Sequence, residues 1–175
     1  MGFFSRVAGT LREASPLSRP MERPADDIGP DATIADLNQQ GSALARAGQY
    51  DEAIQCFDKI LKIDSAQIRA LNNKGNCLAN MGRLNDALAC YDRAIKLCPQ
   101  DARIWNNRGV LLDALGYTDD ALRCFNRALD LNPEFAPAWQ NKGNALMRQN
   151  RVAESRKCMK QVEGIEGTSF KVVDS

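Results

Sequence analysis

The chain has 175 residues, of which 26% are charged and 44% apolar, and its formal net charge is +1. That balance makes nucleic acid an unexpected partner, no apolar run approaches the roughly 18 residues of a membrane span, and the N-terminus lacks the apolar core of a secretory signal. There is no histidine, and the six cysteines (Cys56, Cys77, Cys90, Cys98, Cys124, Cys158) form no CxxC pair, so the commonest general base and the commonest metal ligands are missing and neither a metal site, a cofactor nor catalysis is expected.

In chain order, residues 1–32 form an N-terminal arm. Its opening, GFFSRVAGTLREA, places Phe3, Phe4, Val7, Ala8 and Leu11 on one helical face with Arg6 and Arg12 elsewhere. Such a segment can lie on a membrane surface, fold back into a groove of its own chain or dock a partner. At about three turns it is marginal as an isolated helix, so membrane contact is the lesser expectation. Arg6 breaks the myristoylation motif. Ser15-Pro16, Arg19-Pro20, Arg23-Pro24 and Gly29-Pro30 mark 15–30 as a disordered linker.

From residue 33 to 163 the chain repeats itself. Cys56, Cys90, Cys124 and Cys158 stand 34 residues apart. Units of that length, 34–67, 68–101, 102–135 and 136–169, keep Gly41, Gly75, Gly109 and Gly143 in the eighth place and Leu44, Leu78, Leu112 and Leu146 in the eleventh. The fifteenth place holds Gly48, Gly82, Gly116 and Asn150; the twentieth Ala53, Ala87, Ala121 and Ser155; the twenty-fourth Phe57, Tyr91, Phe125 and Met159. Within each unit, small or apolar residues recur at i, i+4, i+7, first as Leu71, Gly75, Leu78 and then as Ala87, Tyr91, Ala94, which predicts two amphipathic helices per unit. The glycines at place fifteen supply the left-handed turn between them, and Pro99 and Pro133 stop the second helix. Thr33 with Asp36 reads as a capping box for the first helix. Gly75 and Ala87 are expected to let paired helices approach, with Trp105 and Tyr91 filling the space between pairs. The cysteines read as small packing residues, too far apart to bridge, which suits a reduced, cytoplasmic setting. The tail, 164–175, is expected to fray.

This pattern resembles the tetratricopeptide repeat. The match is fullest in units two and three, while unit one has Ser65 where proline belongs and unit four departs most. The resemblance implies an all-α, right-handed α-solenoid of four helix-turn-helix repeats, with a concave groove lined by the first helix of each unit. No single pair buries both its faces, so at least three units are needed for a stable core.

Places two, five, six, nine and thirteen lie opposite the packing stripe. They are Ala35, Asn38, Gln39, Ser42 and Arg46 in unit one, then Arg69, Asn72, Asn73, Asn76 and Asn80 in unit two. Units three and four contribute Arg103, Asn106, Asn107, Val110 and Ala114, then Pro137, Gln140, Asn141, Asn144 and Arg148. Each amide both donates and accepts, so the row predicts a reader of extended peptide backbone. The family implies the same, since O-linked N-acetylglucosamine transferase uses an asparagine ladder in the equivalent place. Arg46, Arg69, Arg103 and Arg148, against Asp113, give the face a preference for acidic or C-terminal segments. The carboxylate clamp of co-chaperone relatives is not carried over: Asn76 and Asn107 match its asparagines, but Asn72, Pro137 and Asn141 stand where lysine, lysine and arginine belong. A frame starting one unit earlier matches only Asn73, with Arg103 standing in for a lysine. The expected function is a non-catalytic adaptor that binds other proteins through peptide segments. The competing expectation is self-association through the array ends or the N-terminal arm.

Overall fold

The computed structural model describes residues 30–171. Among the described residues there are eight helices and no strand: α1 Pro30–Arg46, α2 Tyr50–Ile63, α3 Ile68–Asn80, α4 Leu84–Leu97, α5 Ala102–Ala114, α6 Thr118–Leu131, α7 Ala136–Arg148 and α8 Val152–Lys171. The amphipathic stretch expected near the N-terminus lies outside the described residues. Helix α1 starts at Pro30, whose fixed φ suits the first helical position. Thr33 is therefore inside the helix and does not cap it, which corrects the capping-box expectation. Helix α8 runs on to Lys171, beyond residue 163.

Odd and even helices pair as α1–α2, α3–α4, α5–α6 and α7–α8, and each even helix also packs on the next odd one. Successive odd helices touch as well (α1 with α3, α3 with α5, α5 with α7), whereas no two even helices meet among the described residues. Elements that crowd on one side and splay on the other make a curved stack. The odd helices line its inner face, and the fold is an α-solenoid.

Inside each pair the decisive contact is between a glycine and a ring. A Cβ built on Gly75 would fall 2.7 Å from Tyr91 Cε1, and one on Gly109 would fall 2.6 Å from Phe125 Cε1. Tyr91 thus fills its own pair over Gly75 rather than the space between pairs. Trp105 and Trp139 do join neighbouring units: their indole nitrogens donate to the carbonyls of Pro99 (3.0 Å) and Pro133 (2.7 Å), at the end of the preceding unit. Ion pairs repeat at the same period, with Lys74 on Asp58 at 2.5 Å and Arg108 on Asp92 at 2.7 Å. In the next unit Asn126 replaces the acid, and Lys142 sits over the Trp139 ring, 5.2 Å from its centroid.

All four turns within units close alike. Gly48, Gly82 and Gly116 have φ of 79°, 76° and 86°, and Asn150 takes their place at 60°. Behind each, a backbone N–H reaches back five residues: Gln49 to Leu44, Arg83 to Leu78, Tyr117 to Leu112 and Arg151 to Leu146, all 2.9 Å. This is the Schellman closure that a left-handed residue permits.

The six cysteines are free thiols. Cys56 and Cys124 lie beside the glycines of their own pairs, each Cβ 3.1 Å from the position a glycine Cβ would take. Burial pushes the Cys77, Cys90, Cys124 and Cys158 thiols above their ordinary value. Arg108, which donates to Cys124 Sγ at 3.2 Å, offsets this only in part.

Helix α8 closes the stack differently. Place twenty-one is Ile54, Leu88 and Leu122 in the first three units and Arg156 in the last; place twenty-eight is Leu61, Ile95, Leu129 and then Glu163. The aliphatic residues are buried or half-buried, whereas Arg156 and Glu163 are exposed. Its outer face is the polar cap that a repeat array needs at its end. Ser155 is the remaining irregularity: it replaces alanine, is 1% exposed, and its hydroxyl has no hydrogen-bond partner. Leaving such a group dry costs about 1–3 kcal/mol. Ser155→Ala is expected to stabilise the array by about 1 kcal/mol, read as a higher urea midpoint with an unchanged slope.

Candidate functional site

The concave face is built from the inner stripes of α1, α3, α5 and α7, and its floor is a chain of amides. Asn107 Nδ2 donates to Asn72 Oδ1 at 2.9 Å, and Asn141 Nδ2 donates to Asn106 Oδ1 at 2.9 Å. The amide at place six therefore bonds the place-five amide of the unit before it. Asn107 also reaches Asn76 Oδ1 at 3.3 Å, which accepts from the Tyr91 hydroxyl at 2.7 Å. Burial pushes that hydroxyl well above its ordinary pKa, so it remains a donor. Asn38 Nδ2 turns back to the Ile34 carbonyl at 3.0 Å, and its Oδ1 is a buried acceptor without a partner.

These bonds tie neighbouring units together and consume part of the hydrogen-bonding capacity that the amide row displays. Asn106 is buried at 6% exposure and belongs to the floor. Asn72, Asn73, Asn76, Asn107 and Asn141 are half-buried along it, while Asn80 and Asn144 are exposed where they line its hollows and Gln140, place five of the last unit, is exposed. Asn80 donates to the Asn76 carbonyl at 2.8 Å, leaving its own carbonyl oxygen free.

The four arginines divide into two kinds. Arg103 forks onto Asp101, the residue that caps α5, with contacts of 3.0 and 2.7 Å, and this bond holds the Asp101 carboxyl below its ordinary value. Arg148, on α7, pairs with Asp113 on α5, whose side chain is only 8% exposed and which also accepts from the Thr118 hydroxyl at 3.2 Å. Arg46 and Arg69 are exposed and make no ion pair among the described residues. Counting arginines in the sequence could not separate these cases, because both acids stand outside the five groove places.

Three hollows follow one another along the floor. The first, between α1 and α3, is lined by Ser42, Arg46, Tyr50, Asn73, Asn76 and Asn80. The second, about 510 Å³, shares Asn76 and Asn80 with it and adds Leu84, Tyr91, Asn107, Val110 and Ala114. The third shares Val110 and Ala114 with the second and ends at Asn141, Asn144, Asp113 and Arg148. The groove is thus one continuous trough crossing three unit boundaries. Leu84, at the start of α4, is a lining residue that the five-place rule misses, because it comes from a second helix.

Models of the tetratricopeptide repeat match residues 35–66, 68–101, 102–135 and 124–157. The chain belongs to the tetratricopeptide repeat family. The matched repeats span α1 to the first turns of α8, and an array of this kind is a protein–protein interaction scaffold. No curated protein sequence matches the chain significantly. Among solved structures, a crystal structure of MamA superposes with a TM-score of 0.71 at 22% identity, covering 79% of this chain and 81% of that one. A structure of MamA, residue 41 to the end, from Desulfovibrio magneticus RS-1 gives 0.69 at 26%, covering 80% and 77%. A mutant O-GlcNAc transferase of Thermobaculum terrenum gives 0.65 at 25%, covering 68% of this repeat protein but 23% of the transferase. Among the described residues, no helix is long and apolar enough to cross a membrane, and no group of three or more acidic, cysteine or histidine side chains is placed to hold a metal.

Proposed function

We propose that the chain is a non-catalytic adaptor whose concave trough holds an extended peptide segment of another protein. The observation that carries this reading is the continuity of the trough: adjacent hollows share walls, so a guest chain meets no barrier from unit to unit. The exposed amides Asn80 and Asn144, which line the hollows, offer donors and acceptors to a guest backbone without demanding a particular side chain, and Arg69 stands beside Asn72 and Asn73 in a smaller neighbouring hollow. The charged outer face of α8 weighs against one form of the alternative, self-association by stacking a further array behind the fourth unit; the other form, self-association through the N-terminal arm, falls on residues outside those described.

The test is capture of partners by the immobilised full chain from its own cell extract, compared across two charge-matched variants. Asn80→Glu/Asn144→Glu changes the trough rims, and Gln55→Glu/Asn126→Glu changes exposed positions on second helices. Partners retained by the wild type and the second-helix variant are expected to disappear from the rim variant. Equal capture by all three proteins would place binding elsewhere.

A further inference from the structure

The three hollows differ in the side chains that line them. The first holds Arg46, a cation with no acid beside it. The third is closed by Asp113 and Arg148, whose charges cancel each other. Between them the second hollow sets an exposed aliphatic side chain beside the amides Asn76, Asn80 and Asn107. Place nine is Ser42, Asn76 and Asn144 in the other units, but Val110 here, and Val110 is 44% exposed. With Leu84, Leu111, Ala114 and the edge of Tyr91 it forms a recess rather than a lone exposed side chain. A concave recess with apolar walls gains free energy when a guest displaces its water.

Resting on the reading of the trough as a peptide site, we propose that this recess takes one aliphatic side chain of the guest, while Arg46 takes a carboxylate of the same segment. The first and second hollows share the Asn76–Asn80 wall, so one extended strand reaches both. Packed helices stand about 8–10 Å apart, which puts Arg46 and the recess roughly 15–20 Å from each other. At about 3.3 Å per extended residue that distance is about four to six residues of guest, and because successive side chains point to opposite faces, only the even spacings turn both side chains to the floor. The preferred guest is an acidic peptide with a leucine, isoleucine or valine about four or six positions from an aspartate or glutamate.

Selection of a random dodecapeptide phage library on the full chain tests this, run in parallel on Val110→Asn and Arg46→Glu. Val110→Asn imports the residue that units two and four already carry at this place and is expected to fold normally, checked by circular dichroism. The wild type is expected to select the aliphatic–acidic pair at that spacing, Val110→Asn to lose only the aliphatic preference, and Arg46→Glu only the acidic one. For a selected peptide, the aliphatic→Ser change should weaken binding to the wild type by about tenfold and have little effect on Val110→Asn. Peptides selected without the pair, or an aliphatic preference that survives in Val110→Asn, would overturn the inference while leaving the trough as a binding site. Failure to select any peptide would overturn both.

Discussion

Replacing Phe125 with alanine is expected to lower the unfolding free energy by about 3–5 kcal/mol, the cost of emptying a fully buried aromatic site. Phe125 is 0% exposed and its ring covers Gly109, so the cavity would open at the centre of the third helix pair, where neither helix can collapse without parting from its neighbours. The same contact read from the other side gives a smaller effect. Gly109→Ala gains about 1 kcal/mol of helix propensity, but its new methyl would meet a ring edge at 2.6 Å, and overpacking costs about 1–3 kcal/mol. The net expectation is a loss of about 1–2 kcal/mol. Gly143→Ala is the internal control: its methyl would also meet an atom at 2.6 Å, but that atom is the Met159 methyl, which can rotate away, so the propensity gain survives. Urea midpoints at constant slope distinguish the three. Equal losses at Gly109 and Gly143 would mean that the ring is not what forbids a side chain in the eighth place.

At the turn between paired helices, Gly116→Ala is expected to cost about 1–2 kcal/mol, because φ is 86° there and the left-handed conformation is strained for a residue with a Cβ. No atom lies within 4 Å of where that Cβ would stand, so the penalty belongs to the backbone alone. Asn150 occupies the equivalent position at φ 60°, and asparagine tolerates that region better than other residues with side chains. Asn150→Gly is therefore expected to stabilise the last turn by a few tenths of a kcal/mol. Thermal midpoints by circular dichroism should fall for the first substitution and rise slightly for the second. A neutral Gly116→Ala would show that the turn can close without a left-handed residue.

Most of the fold was legible because every unit solves one packing problem with the same residues. Gly41, Gly75 and Gly109 each carry an aromatic ring from place twenty-four, with Met159 standing in over Gly143, and the turn glycines end the first three first helices in the same way. Asn150 looked like a departure in the sequence, yet physically it is a substitute. What periodicity could not convey is contact between units. That Asn107 bonds Asn72, and Asn141 bonds Asn106, depends on the offset between neighbouring helices, which no spacing within one helix encodes. The pairing of Arg148 with Asp113 was hidden for the same reason, whereas Asp101, two residues from Arg103, was passed over because it stands outside the five groove places. The start of α1 was misjudged because Thr33 offers a capping side chain, while Pro30 allows the helix to begin a turn earlier.

The exchange of leucine for arginine at 156 and of leucine or isoleucine for glutamate at 163 sets the terms for re-engineering the array. A fifth unit grafted behind α8 would strand two unpaired charges in a dry seam, a penalty of several kcal/mol for each ion. Lengthening the protein would therefore begin by restoring aliphatic residues at those two positions, before any new helix is added.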